Sequence, residues 1–255
     1  MAKYSPTANK KRYLAITCEI MYREICHCVA NSSAVIDLFF MEKALHDAGA
    51  DKMSATLQAS IDRVDFSKYD AILLVYGLCN NGVKNLKAPI PIVIPRAHDC
   101  ITLLMGSKER YDEYFNANPG TFFHTSGWLE RDVSDTDSNT SITSQLGMGR
   151  TYQQYVEEYG EENAEYIMSI LGNWEENYKK LAFVNNGIGD TETDLALSKK
   201  HAEDKGWEYE IVAGDISLLQ SMVDGDWQAN RFLVVPPNNI ILPSNDESIV
   251  TCQPD

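Results

Sequence analysis

Apolar residues in this chain come in short dense runs, and stretches with helical spacing lie between them. Residues 12–17 (RYLAIT) read as a buried strand that Cys18 ends. Residues 19–30 follow with Met21, Ile25, Cys28 and Val29 at helical spacing. The run 35–40 reads as a second strand, apolar enough to be buried on both faces, as parallel strands are. Residues 41–49 read as a polar turn or short helix containing His46 and Asp47, and 53–64 as an amphipathic helix with Leu57, Ile61 and Val64 on one face. Two compact runs, 71–76 and 91–94, each break into a loop rich in Gly, Pro and polar residues. Helical pieces are expected at 101–105 and 107–115, the second capped by Ser107. A short strand is expected at 121–124.

The pattern changes at 130–150, which is polar, acidic and rich in Ser, Thr and Gly, and reads as a surface loop or a docking segment. Helices are then expected at 151–159 and 161–180, followed by strand 181–185, helix 191–205, strand 208–213, helix 216–223 and strand 232–235. Alternating strand and helix predicts an α/β protein, Rossmann-like, with mainly parallel sheet and helices on both faces. The expected layout is a polar tail at 1–11 and an N-terminal lobe at 12–129. The loop 130–150, a C-terminal lobe at 151–240 and a tail at 241–255 complete it. A single continuous sheet is the other arrangement.

Composition narrows the partners. The 255 residues carry 37 acids against 22 bases, a net charge of −15, which disfavours nucleic-acid and anionic-membrane surfaces. No apolar run approaches the roughly 20 residues that span a bilayer, and the N-terminus lacks a secretory apolar core. A reducing cytoplasm is therefore expected, with the six cysteines free or metal-bound.

The cysteines carry the candidate chemistry. Cys18 follows the first strand, Cys79 lies three residues past the third, and Cys100 lies beyond the fourth at a helix start. If those strands are parallel neighbours, spaced about 4.8 Å apart, the three thiols share one rim. His98, in the same loop as Cys100, or His46, after the second strand, could add an imidazole. Thiolates with imidazole suit zinc; three thiolates also suit an iron–sulfur cluster. Asp99 is a candidate supporting group or helix cap, and Arg96 an anion binder or loop anchor. Glu19 forms a possible i, i+4 pair with Arg23, and Asn80 sits in the Asn80-Asn81-Gly82 turn, whose amides could cradle a ligand. The bland alternative is that each cysteine simply fills space. Cys28 reads as packing and Cys26 as partly exposed. His27 and His201 read as surface residues, and His124 as one that could face the cleft. Gly187-Ile188-Gly189 resembles half a dinucleotide fingerprint, but Asp190, Glu192 and Asp194 crowd the helix start and favour a capped loop.

The strings YGLCNNGV, IPRAHDCITLLMGSKERY and PGTFFHTSGW resemble a prokaryotic domain-of-unknown-function family carried mainly by anaerobes and methanogens. The resemblance runs from Arg12 to about Pro237 and is strongest from Ala71 to Trp128. Cys18, Cys79, His98 and Cys100 match the family pattern; Cys26, Cys28 and Cys252 do not. Members often accompany corrinoid-dependent methyltransferases for methylamines and related one-carbon substrates, so the resemblance implies a role near methyl transfer, with a corrinoid protein or methyltransferase as partner. The His98-Asp99-Cys100 element is also similar to that of zinc-dependent, corrinoid-linked thiol methyltransferases, at the level of site chemistry alone. The expected function is a zinc-binding protein of corrinoid-dependent methyl transfer, acting as a metal-dependent methyltransferase if it is an enzyme. An iron–sulfur accessory for corrinoid reactivation, and a non-catalytic partner with a structural metal, are the alternatives.

Overall fold

The computed structural model describes residues 10–43, 45, 49–132, 156–157, 160–161, 163 and 177–255. The helices expected over 151–159 and 161–180, and most of the segment 130–150, lie outside these residues.

Three strands with near-continuous burial form the centre of the main sheet: β1 (Arg12–Cys18), β3 (Ala71–Val75) and β4 (Ile92–Pro95). Strand β2 (Val35–Met41) flanks β1, and β8 (Phe232–Val235) flanks β4, giving the order β2-β1-β3-β4-β8. The first four are parallel; β8 runs antiparallel to β4. A second, all-parallel sheet has the order β5-β6-β7, from Thr121–His124, Lys180–Asn185 and Glu208–Ala213. A hairpin of β9 (Asn239–Pro243) and β10 (Val250–Pro254) closes the chain. The architecture is mixed α/β with mainly parallel sheet, as the alternating pattern predicts.

Three details differ from the sequence reading. Strand β2 is an edge strand and only half buried; Phe39 is 47% exposed, because nothing pairs on its outer side. Strand β5, ahead of the 130–150 segment, pairs with β6 beyond it, while β8 returns to the first sheet. The chain therefore crosses between sheets twice. Residues 241–255 carry most of the closing hairpin rather than a tail, with Ile241, Ile249 and Val250 in the core.

Seven helices are described. Helix α1 (Tyr22–Asn31) buries Ile25 and Cys28, as its spacing requires, and α2 (Ala50–Ile61) buries Met53, Leu57 and Ile61. Helices α3 (Cys100–Met105) and α4 (Lys108–Ala117) are capped by Asp99 and Ser107, whose side chains accept from the N–H of Thr102 and Arg110. Helix α5 is Ser126–Asp132, α6 is Thr191–Lys205 and α7 is Ser217–Asp224. Asp190 caps α6, so the Gly187–Asp190 loop serves as a helix entry.

In the order β2-β1-β3-β4, successive strands leave β1 on opposite sides. The crevice beyond the carboxyl ends of β1 and β3 is the topological switch point, where open α/β sheets collect ligands.

Candidate functional site

The sequence puts cysteine at that crevice from three directions. Cys18 is the last residue of β1 and hands the chain to a 3₁₀ turn, Glu19–Met21. Cys79 lies four residues past the end of β3, and Cys100 is the first residue of α3. The loops after β3 and β4 are joined by backbone hydrogen bonds, Leu78 N–H to Ala97 O (2.8 Å) and Cys79 N–H to His98 O (2.9 Å). This contact explains Gly77: a Cβ there would stand 2.6 Å from the Asp99 nitrogen and 2.8 Å from the His98 carbonyl carbon. After it, Cys79, Asn80 and Asn81 all have positive φ (45°, 53° and 69°), a left-handed turn in which Asn is tolerated and Cys is strained.

Cys18, Cys79 and Cys100 line one small pocket, with a cavity volume of about 20 Å³. Its walls include Ile20, Met21, Leu45, Val75 and Gly77, with Glu42, Lys43, Tyr76 and Trp128, and the surface they present to it is almost wholly apolar. Burial pushes the Cys79 thiol up to about 12, reinforced by the charges of Asp99 and Cys18. Burial pushes Cys100 up further, with Asp99, Cys79 and Cys18 adding to it; the Trp128 indole N–H, donating to the sulfur, works against this. Cys18 thus acts on both Cys79 and Cys100, and Cys79 acts on Cys100, as neighbours in one crevice do. The Tyr76 phenol is also held well above its ordinary value, by burial and then by Cys18 and Cys79. Its hydroxyl is buried and has no hydrogen-bond partner among the described residues. The Lys43 ammonium sits over the Trp128 ring, 4.4 Å from its centroid. Glu19 fixes that strap: Oε1 accepts from the Lys43 backbone N–H at 2.8 Å, and Oε2 lies 3.8 Å from Arg131.

The structure brings some of the candidate residues together and separates others. Cys18, Cys79 and Cys100 converge, whereas His98 is exposed and does not line the pocket, and His46 lies outside the described residues. Among the described residues no group of three His, Cys, Asp or Glu side chains is placed so that it could hold a metal ion. Asp99 caps α3 with Oδ1 and accepts from the Tyr111 hydroxyl on Oδ2 at 3.0 Å. Arg96 is an anchor: it donates to the carbonyls of Ala229, Ser248 and Val250 at 2.7–2.8 Å. Asn80 is exposed in the left-handed turn. Glu19 does not pair with Arg23, which instead bonds Glu130 of α5, because α5 packs across the 3₁₀ turn. Gly127 permits that packing; its Cβ would overlap the Ile20 carbonyl oxygen.

Sequence reasoning missed Tyr76, Lys43 and Trp128. Tyr76 could have been found as the aromatic residue between a buried strand and a tight glycine. Nothing near Trp128 announces that its indole reaches a thiol from a separate helix. Two buried polar groups lie elsewhere. Glu24 of α1 is 3% exposed, its carboxyl raised by burial, and Glu24 Oε2, Asp194 Oδ2 and the Asn186 amide atoms are buried with no hydrogen-bond partner assigned among the described residues. His124, which on the sequence reading could face the cleft, is buried at the end of β5 against α6, 3.0 Å from Ser198 Oγ and with its ring tilted against that of His201. His201 is accordingly half-buried rather than on the surface, while His27 is exposed.

Among the described residues no helix is long and apolar enough to cross a membrane. No curated protein and no solved structure matches the chain. One family model does, over residues 40–223, which takes in Cys79, Cys100, Tyr76, Lys43 and Trp128 and leaves Cys18 outside. That span exceeds half of the chain, and the protein therefore belongs to the family described as Protein of unknown function (DUF1638).

Proposed function

We propose that this protein binds a thiophilic metal ion, zinc, through Cys18, Cys79 and Cys100, and serves corrinoid-dependent one-carbon methyl transfer. One observation carries the metal reading: three thiols, from positions far apart in the chain, line a single pocket at the switch point of a parallel sheet. Buried thiols that raise one another's pKa stay protonated on their own, and a divalent cation reverses that balance by taking the protons' place. Three protein ligands and a fourth position facing a pocket are the pattern of catalytic rather than closed structural zinc sites. A metal so held supplies Lewis acidity, lowering the pKa of a water or thiol bound beside it. The family resemblance of the YGLC and PRAHDC strings supports methyl transfer and a corrinoid-protein partner.

The test is anaerobic purification followed by metal analysis, then titration of the metal-free protein with Co²⁺. One equivalent bound, with sulfur-to-cobalt charge-transfer absorption lost in Cys79→Ser and Cys100→Ser, supports the reading. Brown protein with iron and sulfide assigns the same thiols to an iron–sulfur cluster. Cobalt that binds without charge-transfer absorption, or fails to bind, refutes thiolate ligation.

A further inference from the structure

We propose that the protein pairs with a second copy of itself through β2, the two strands running antiparallel about a two-fold axis at Leu38 and joining the main sheets into one. Strand β2 reads VIDLFFM and is bonded on one side only, to β1. The Val35 N–H donates to the Lys11 carbonyl at 2.9 Å, so Val35, Asp37, Phe39 and Met41 turn their backbone groups towards β1. Ile36, Leu38 and Phe40 turn theirs outward, and those groups have no backbone partner among the described residues. Edge strands are ordinarily blunted by a lysine, a proline or a bulge. This one has none of these: its register with β1 is unbroken, and its one charge, Asp37, is already bonded to Arg12 and Tyr69 of the same chain, both at 2.8 Å. Apolar side chains stand exposed on both faces beside the edge. Val35 (37%) and Phe39 (47%) lie on one face; Tyr22 (45%), its ring 4.8 Å from that of Phe40, lies on the other.

Geometry and charge select a second copy as the occupant. Identical edges related by a two-fold axis are self-complementary. With the axis at Leu38, the two Leu38 residues face each other, and Ile36 of each copy faces Phe40 of the other. These pairs use every outward N–H and C=O of both strands. Asp37 then lies opposite Phe39 of the other copy, so the two carboxylates are not directly opposed, and the Phe39 rings are diagonal neighbours at about 7–8 Å. Glu42, the next charge along the chain, falls opposite Ala34. A net charge of −15 makes copies of this chain repel over most of their surfaces, and a strand whose single charge is internally paired is where two can meet. Its length, about 23 Å, is comparable with the breadth of the patch of about 800 Å² that each partner gives to a standard interface.

The test is the mass of the full chain by light scattering, across protein and salt concentrations, for wild type, Phe39→Glu and Phe39→Lys. Phe39 is half exposed, and thermal melts check that both variants keep the monomer fold. The expected wild type reaches twice the chain mass, and its association tightens with salt, which screens the like charges. Phe39→Glu sets a carboxylate opposite Asp37 twice per dimer and should weaken association about tenfold, whereas Phe39→Lys sets an ammonium there and should weaken it far less. Amide exchange over residues 35–41 of the wild type should also slow as the protein is concentrated, a reading that needs no variant. A wild type that stays monomeric at millimolar concentration overturns the inference. A dimer indifferent to Phe39→Glu, or one that Phe39→Lys disrupts as fully, overturns it too.

Discussion

Replacing Gly77 by alanine tests whether the two cysteine loops are held in register by backbone contact. Gly77 does not have positive φ, so the substitution adds no left-handed strain. The new methyl group would instead meet main chain: the Asp99 nitrogen at 2.6 Å, its Cα at 2.8 Å and the His98 carbonyl carbon at 2.8 Å. Those distances lie well inside the roughly 3.5 Å at which such atoms come to rest, and no rotamer change can relieve them. The loops must part. Parting breaks the bonds from Leu78 and Cys79 to Ala97 and His98, at about 1 kcal/mol each. Imperfect repacking of a dense core adds about 1–3 kcal/mol. The expected loss is about 3–5 kcal/mol, read from urea midpoints. Gly187→Ala is the control. Its φ is +67° and nothing lies within 4 Å of the added methyl, so it should cost only about 1–2 kcal/mol. In Gly77→Ala the distance between Cys79 and Cys100 also changes, and cobalt charge transfer should fall at protein concentrations where the variant is still folded. Equal destabilisation of the two variants, with cobalt binding intact in Gly77→Ala, would refute the reasoning.

Further expectations follow from groups outside the pocket. Arg96→Ala removes a guanidinium from the carbonyls of Ala229, Ser248 and Val250, and should cost about 2–4 kcal/mol and speed proteolysis near residues 244–249. Burial, and then the charge of His201, lowers His124 to about 4 from an ordinary 6.5. The unfolded chain therefore takes up the proton first, and stability present above pH 6.5 falls as the pH drops towards 4, by about 3 kcal/mol in all. Urea midpoints for His124→Gln should lack most of that fall. Glu24 has the opposite linkage: burial raises its folded pKa, so its favourable contribution is present at low pH and lost as the pH rises through that value. Glu24→Gln should raise Tm at pH 7 and change it little at pH 4, and a lower Tm at both would count against the assignment.

Much of this fold is legible because its central strands are short apolar runs with no polar interruption. The runs 71–76 and 91–94 read as buried strands, and the strands found there, Ala71–Val75 and Ile92–Pro95, are buried. Strand β2 misled because an edge strand can carry the same residues as a central one, and only pairing tells them apart. The crossings of β5 and β8 between sheets depend on pairings of residues far apart in the chain, Thr121 with Lys180 and Ile92 with Val235, which local periodicity does not record. For the site, the convergence of Cys18, Cys79 and Cys100 follows from strand order alone. The imidazole does not: an offset of two positions in the loop is enough to leave His98 outside while Cys100 enters. Arg96 and Asp99 have ordinary local uses, a carbonyl anchor and a helix cap, which composition cannot separate from substrate binding.

The antiparallel strand at the far edge of the main sheet has a consequence for biosynthesis. A ribosome releases Ile92–Pro95 long before Phe232–Val235, so the outer edge of β4 stays open while more than a hundred further residues are made. An uncovered edge is a template for pairing with another chain. The arginine that steadies the neighbouring loop must also wait, since two of its three carbonyl partners belong to Ser248 and Val250. Nascent chains stalled before that point should present a sticky sheet and a slack cysteine loop, and chaperone capture should end when the last strands emerge.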